Sequence, residues 1–317
     1  MPPPDAGPAP ADVSARSLRP RRPSLPGLLR RLAHGLLPRN KFGDAVFSTL
    51  TSLYRHRRLP RWRPPVTFND HLFAMKRRGD LYDPLRQYVS DKLLVKDYIA
   101  ALVGPDYVLE TLAVLESEAE VEAFRPPPQT CVVKPAHLSG HYFMLGAGEE
   151  PDRAQMKRWF RLNHYDVWRE ANYRYLRPRI LVEAYFAAQP EGLTHDYKVF
   201  CIHGRARFIQ SIMDRFGRPS RICYSPGWKK LPFGLGYPPE GEHPRPRRLE
   251  ETIAVAERVS AAFSVIRVDF LAAGDQVKIG ELTNLHMNAQ SQLVPRDYDR
   301  RLGRLFSEPE LKVEDLV

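Results

Sequence analysis

The strongest constraint on the fold is a pair of short runs near the C-terminus, VIRVDFL (265–271) and VKIGEL (277–282), joined by the turn-forming AAGDQ. Side chains of a strand alternate between faces, so Ile266, Val268 and Phe270 belong to one apolar face while Arg267 and Asp269 point the other way. Two such runs around a Gly/Asp turn read as an antiparallel hairpin. With the loop centred on Asp275, Asp269 and Glu281 are equidistant from the turn and face each other. Directly opposed residues have Cβ atoms roughly 5 Å apart, where like charges are destabilising. Two carboxylates so close need a proton, a cation or an arginine between them. A hard ion such as Mg²⁺ fits, because it takes one or two carboxylates and completes its shell with phosphate oxygens and water. Asn284 or Asn288 adds a neutral oxygen in that reading. The alternatives are that Arg267 or a lysine pairs the acids on a solvated face, or that the register differs by one.

The rest of the body alternates between helical and strand-like periods. TFNDHLFAMKRR (67–78) reads as a capped helix, and Ser90 opens a second one ending at Gly104. YVLETLAVL (107–115) favours strand, and Ser117 with Glu120 is a capping-box signature. TCVVKP (130–135) and ILVEAYF (180–186) read as strands, with a helical stretch over 153–178 between them. DYKVFCI and RARFIQSI form a hairpin turning at His203-Gly204, and residues 248–263 have helical spacing. No internal repeat is visible. Strands mixed with helices predict an α+β or α/β enzyme-like body.

Charge is distributed unevenly. Residues 1–65 hold thirteen of the 48 Lys and Arg and three of the 37 Asp and Glu, so they carry +10 of the formal +11. They also hold twelve of the thirty prolines, which block regular structure. We therefore expect a basic head over 1–65, disordered to partly helical, and a near-neutral body over 66–317. LPGLLRRLAHGLLPRN (25–40) reads as a short basic amphipathic helix. It suits either contact of residues 16–63 with an anionic membrane surface or packing on the body. At 43% hydrophobic and 27% charged, the chain is not wholly disordered. No apolar run approaches the roughly 20 residues of a membrane span. The opening MPPPDAGPAP is not a secretory signal, so the expected address is cytoplasmic.

Other residues narrow the chemistry. Cys131, Cys201 and Cys223 are isolated from one another, which argues against a disulfide framework or a cysteine-only zinc site, and we read them as small buried hydrophobes. His137, His141 and His164 lack zinc-binding spacing. Lys134 ends a strand and is followed by a loop with Ser139 and Gly140, a plausible phosphate cradle that is not a Walker A sequence. KRWFRLNHYDVWREANYRYLRPR (157–179) interleaves rings with arginines, a pattern that suits single-stranded nucleic acid. We favour the lobe core for these rings and expect no nucleic-acid partner.

Taken in order, Lys134, Glu183, Asp196, Lys198, Asp269 and Glu281 form a succession of strand-borne charges. Together with TFNDHLFAMK, VSDKLLVKDYI, CVVKPAHLSGH, NHYDVWREANYRYLRPRILVEAYF, DYKVFCIHGRARFIQ, VIRVDFL and KIGELT, they resemble the TupA-like ATP-grasp family over roughly residues 66–305. The resemblance implies an α+β ATP-grasp fold, in which two α+β lobes clamp ATP and Mg²⁺. The nucleotide lobe would cover about 130–203 and the metal-binding hairpin about 264–283. Lys92 and Lys134 match the phosphate-contacting lysines. His137, Ser139 and Gly140 match the phosphate loop. Glu183-Ala184-Tyr185-Phe186 match the hinge at the adenine end. Asp196 and Lys198 fall near ribose and phosphate, with Lys134 and Lys198 as the catalytic pair. Asp269 and Glu281 match the metal carboxylates, with Asn284 or Asn288 as third ligand. The implied activity is a carboxylate–amine ligase working through an acyl phosphate on a small-molecule or glycan acceptor in cell-surface polysaccharide synthesis. The alternatives are a sugar or glycan kinase and a catalytically silent nucleotide-binding protein. Two segments depart from the family pattern: AHLSG where relatives carry a loop closer to NHGSG, and ELTNLHMNAQSQL where relatives run into a Pro-Gly loop.

Overall fold

The computed structural model describes residues 35–186, 195–213 and 219–317. Leu37–Val317 form one compact unit. The amphipathic stretch 25–40 lies outside the described residues up to position 34, as does the Pro-rich opening.

The first difference from the sequence reading concerns the border of the body. Helix α1 (Lys41–His56), which composition assigns to the basic head, is built into the globular unit. Its Asp44 is buried and accepts hydrogen bonds from Tyr165 Oη at 2.6 Å and Tyr82 Oη at 2.8 Å. Arg169, 2% exposed at its side chain, lies 3.4 Å from the same carboxylate and donates to the carbonyls of Leu37 and Pro38. The other face of α1 stays in solvent, with Phe42, Leu50 and Tyr54 exposed. Charge composition registers that solvated side and misses the buried one.

Helix α2 (Phe68–Arg78) begins where its capping box predicts. Thr67 accepts from the Asp70 amide, Asp70 reaches back to Thr67, and Gly79 closes the end in a left-handed conformation. Helix α3 (Pro84–Tyr88) leads into α4 (Leu94–Val103). Asp91, rather than the expected Ser90, accepts from the amides of Leu93 and Leu94, because Ser90 Oγ donates to the Arg86 carbonyl. After strand β1 (Thr111–Leu115), Ser117 caps α5 (Glu118–Ala123).

Strands β2 (Cys131–Pro135), β3 (Phe143–Leu145) and β4 (Ile180–Ala184) join β1 in a four-stranded antiparallel sheet of order β1-β4-β2-β3. The long helix expected over 153–178 is broken in two. It becomes α6 (Arg153–Phe160) and α7 (Tyr165–Trp168), followed by a single 3₁₀ turn (Ala171–Tyr173). Arg169 sits in the left-handed region at φ 53°, so no helix passes through it. Of the rings in this stretch, Trp159, Tyr165 and Tyr173 are buried and Tyr175 is exposed. Val121, Met156 and Trp159 pack on Cys131, Val133, Ile180 and Val182 to make this lobe's core.

The second lobe is a five-stranded antiparallel sheet of order β10-β9-β5-β6-β7. It comprises β5 (His195–Ile202), β6 (Arg205–Met213), β7 (Ser220–Tyr224), β9 (Val265–Ala273) and β10 (Gln276–Thr283). A two-residue pair, β8 (Gly234–Leu235) with β11 (Leu293–Val294), flanks it. Between them the chain forms α8 (Leu249–Ser260), and α9 (Tyr298–Gly303) follows β11. His203 and Gly204 both have positive φ, as a tight hairpin turn requires. Ile266, Val268 and Phe270 face α4 and α8, together with Tyr197, Val199 and Leu282. The opposite face packs Phe200 and Phe208 against Phe68 of α2, with ring centroids 6.1 Å apart. All three cysteines are buried and free. Among the described residues no helix is long and apolar enough to cross a membrane.

Asp44→Ala leaves the buried Arg169 guanidinium without its carboxylate and two tyrosine hydroxyls without their acceptor. A loss of about 3 kcal/mol is expected, as for breaking a buried ion pair. Urea denaturation of the full chain measures it; a loss below roughly 1 kcal/mol would return α1 to the status of a peripheral appendage.

Candidate active site

Between the two sheets lies a cavity of about 640 Å³. Cross-strand register arranges its floor. Glu281 on β10 pairs with Asp269 on β9, Asp269 with Lys198 on β5, and Lys198 with Gln210 on β6. The neighbouring row runs from Leu271 through Asp196 and Ile212 to Arg221 on β7. These nine side chains, with Arg267 completing the set, all line the cavity.

The opposition of Asp269 and Glu281 is as expected, although the route differs. The turn is only two residues, Gly274-Asp275, and the register from Gln276 to Ile279 is one residue short of the expected one. A bulge at Gly280 adds the missing residue. Ile279 and Leu282 therefore both point into the core, and Glu281 turns to the cleft beside Asp269.

The repulsion this creates is relieved by cations from the protein itself. Arg267 grips Asp269 with two hydrogen bonds of 2.5 and 2.6 Å and lies 3.6 Å from Glu281. Lys198 donates to Asp269 at 2.7 Å. Burial alone would raise the Asp269 pKa, but Arg267 and Lys198 outweigh it and hold the carboxyl far below its usual range. His286 accepts from Arg267 at 2.6 Å, and burial together with that guanidinium keeps its imidazole neutral.

The roof is built the same way. Glu183 is 2% exposed and sits between Lys134 at 2.5 Å and Lys96 at 2.7 Å. Burial works against its charge, and the two lysines prevail and lower its pKa. Lys92 donates to the Leu138 carbonyl at 2.5 Å and stands 4.0 Å from Glu281, bridging roof and floor. Burial lowers its pKa. Ser139 and Gly140 line the cavity beside Lys134. Leu109, Val132, Met144, Tyr185, Phe186 and Leu271 add apolar lining to the same cavity. The amides of Ala184 and Tyr185 are already donated to the carbonyls of Glu110 and Thr130.

Three expected site residues stand elsewhere. His137 does not line the cavity; its Nε2 is 3.0 Å from the Trp159 carbonyl, tying the loop to α6. Asn284 is buried with Arg86 and Ser90, accepting from Arg86 at 2.8 Å, so its oxygen is taken. Asn288 accepts from Lys76 Nζ at 2.5 Å. Neither asparagine is available as a third metal ligand. Among the described residues no group of three or more His, Cys, Asp or Glu is placed to hold a metal. The two carboxylates still suit Mg²⁺ bound largely through phosphate oxygens. Glu281, with a 32% exposed side chain, is open to the cavity, whereas Asp269 is clasped by Lys198 and Arg267.

Sequence reasoning missed other residues. Arg267 entered only as a rival partner for the acids, although its i, i+2 spacing to Asp269 marks it. Lys96 stands four residues after Lys92. His286, Tyr237 and Arg221 carry no local signal.

Met287, Asn288 and Ala289 are three successive residues with left-handed φ of 48–60°. The turn is pinned from α2: Lys76 holds Asn288, and Asn69 exchanges two 2.9 Å hydrogen bonds with the Ser291 backbone.

A cleft between two antiparallel α+β lobes, with lysines on its roof and a cation-clasped acid pair on its floor, is the layout of an ATP-grasp protein. The description TupA-like ATPgrasp matches residues 71–307, and the chain belongs to that family. No curated protein matches it. Among solved structures it is similar to an L-amino acid ligase from Bacillus licheniformis, at 10% identity and TM-score 0.42, covering 87% of this chain and 62% of that one. It is also similar to the D-alanine–D-alanine ligase of Helicobacter pylori, at 13% identity and TM-score 0.38, covering 71% and 59%. A third is the ATP-grasp ligase PsnB complexed with minimal precursor, Mg and ADP, at 12% identity and TM-score 0.37, covering 69% and 58%. The chain spans about three fifths of the length of these structures.

Burial lowers the Lys76 pKa to about 8. Between pH 8 and the ordinary lysine value of 10.5, the unfolded chain keeps a proton that the native lysine has released, so native stability gains with rising pH. Lys76→Met removes this dependence. The stability difference between the variant and the parent should shift in the parent's favour from pH 8 to 10. Parallel curves for the two proteins in denaturant titrations at these pH values would refute the assignment.

Proposed function

We propose that the protein is an ATP-dependent ligase of the carboxylate–amine type. The observation that carries the reading is the set of lysines, Lys92, Lys134 and Lys198, converging on the one cavity that also holds the Asp269–Glu281 pair. Apolar side chains in the same lining offer a surface on which a flat base can lie. Each lysine is neutralised within the protein, so a polyphosphate exchanges internal pairs for its own oxygens and strands no lysine in the process. Ser139 and Gly140 border the same phosphates from the roof, and Asp196 lies on the floor one row from Lys198.

Magnesium, held by Glu281 and Asp269, would supply charge neutralisation on the phosphate oxygens. The substrate carboxylate attacks the γ-phosphorus, forming an acyl phosphate and releasing ADP. An amine nitrogen then attacks the acyl carbon, inorganic phosphate leaves, and the surplus amine proton goes to the solvent. Arg267, oriented by His286 and Asp269, stands where it offsets negative charge on the transferring group. No nucleophilic side chain is required, since positioning and electrostatics supply the catalysis. A sugar-linked acceptor for cell-surface polysaccharide synthesis is supported by the family resemblance alone.

ATP with Mg²⁺ should raise the melting temperature of the full chain by several degrees. Lys134→Ala and Glu281→Gln should each reduce the shift by more than half. An unchanged parent, or variants that shift as much as the parent, defeats the site assignment. With an acceptor present, free phosphate together with a new amide supports the ligase, while phosphate retained on the acceptor identifies a kinase.

A further inference from the structure

The floor sheet continues past Lys198 for two more strands. Gln210 is opposite Lys198 on β6, and Arg221 on β7 is opposite Ile212. At roughly 4.8 Å per strand, β7 is about 10 Å from β5 and about 14 Å from β9. Arg221 lines the cavity and lies against the Tyr237 ring, 4.7 Å from its centroid. Lys134, Lys198 and Arg267 each have an acid partner, whereas Arg221 has none among the described residues. Arg55, from the last turn of α1, reaches the same cavity, also without an acid partner among the described residues.

Gln290, Ser291 and Gln292, which follow the left-handed turn, line the same cavity. The Gly236 amide donates to the Gln292 carbonyl at 2.6 Å, and β8 pairs with β11, so the Tyr237 loop stands beside this segment. Ser291 is 3% exposed, and its Oγ has no hydrogen-bond partner; neither has the buried Gln290 Nε2. Buried polar groups of this kind are nearly always satisfied. Both residues line the cavity that also holds Arg221, and their unpartnered atoms lie just beneath its surface.

We propose that this outer wall is a subsite for an oxyanion of the substrate, a carboxylate or a phosphate. Arg221 is its anchor, and the Gln290 amide and Ser291 hydroxyl, unpartnered as they stand, become neutral donors by turning toward the cavity. Arg55 contributes positive potential at the mouth. The inference rests on the ligase reading for which end of the substrate reacts. It deepens that reading to a substrate class: an elongated molecule whose second anion lies about 10–14 Å from the carboxylate or amine at the phosphates, as the strand spacing sets. Such a guanidinium suits either anion, because its fork donates two parallel hydrogen bonds.

The test is calorimetric titration of the full chain, in the presence of ADP and Mg²⁺, with α,ω-dicarboxylates from succinate to tetradecanedioate. Monocarboxylates and ω-phosphonocarboxylates of matched length complete the series. The second anion should tighten binding at least tenfold at one optimal length, and the better of the two anion types identifies the group. Arg221→Gln should abolish that preference, leaving monocarboxylate binding and the ATP-induced rise in melting temperature unchanged, while Arg221→Lys retains part of it. Equal binding of mono- and dianions, no binding of any dianion, or a preference that survives in Arg221→Gln would each overturn the subsite. The ATP·Mg²⁺ shift is measured in parallel on the parent. Its absence defeats the ligase reading, and the dianion titration still decides the subsite.

Discussion

The opposition of Asp269 and Glu281 governs the rest of the structure. Two carboxylates on directly opposed residues repel each other, and the protein meets that repulsion with Arg267 two residues along the same strand and Lys198 on the next strand over. This solution demands that β9 lie between β10 and β5 in one fixed register. Once that register is set, Gln210 and Arg221 follow on β6 and β7 without further choice. The sheet is in effect a ruler on which cleft-facing chemistry is placed in strand-sized steps.

The roof repeats the same arrangement, Glu183 between two lysines as Asp269 on the floor lies between an arginine and a lysine. A buried charge costs several kcal/mol unless it is paired. The acids Glu183 and Asp269 are therefore each held by cations of the protein itself. A site built this way has its charges oriented before any ligand arrives, the condition under which electrostatic catalysis is most effective.

How much of this was legible in the sequence depended on how far away the deciding partner lay. Thr67 with Asp70 and Ser117 with Glu120 set helix starts through contacts three residues away, and both starts are where the sequence predicts. The alternation of Ile266, Val268 and Phe270 with Arg267 and Asp269 is equally local. The Asp269–Glu281 pair was reached through a longer loop than the real one; the bulge at Gly280 compensates, and nothing in the local pattern reveals it. Where partners are remote, legibility fails. Arg169 breaks a helix that its neighbours favour because Asp44 and the carbonyls of Leu37 and Pro38 hold it. Asn284 looks like a ligand three residues after Glu281, yet Arg86, almost two hundred residues earlier, takes its oxygen. Composition placed Lys41–His56 in a tail because burial of Asp44 and Phe47 leaves no trace in a charge count.

The left-handed turn at Met287–Ala289 bears on how the outer wall of the cleft is held. Three successive residues of this handedness have no local reason to adopt it, and each is disfavoured by its own Cβ. What holds them is Lys76 and Asn69, more than two hundred residues away along the chain. Helix α2 therefore sets the shape of this segment, and with it the outer wall of the cleft. The four roof strands, all within 111–184, pair among themselves. A change at Lys76 or Asn69 is thus felt at one wall of the cleft and leaves the pairing of the other untouched.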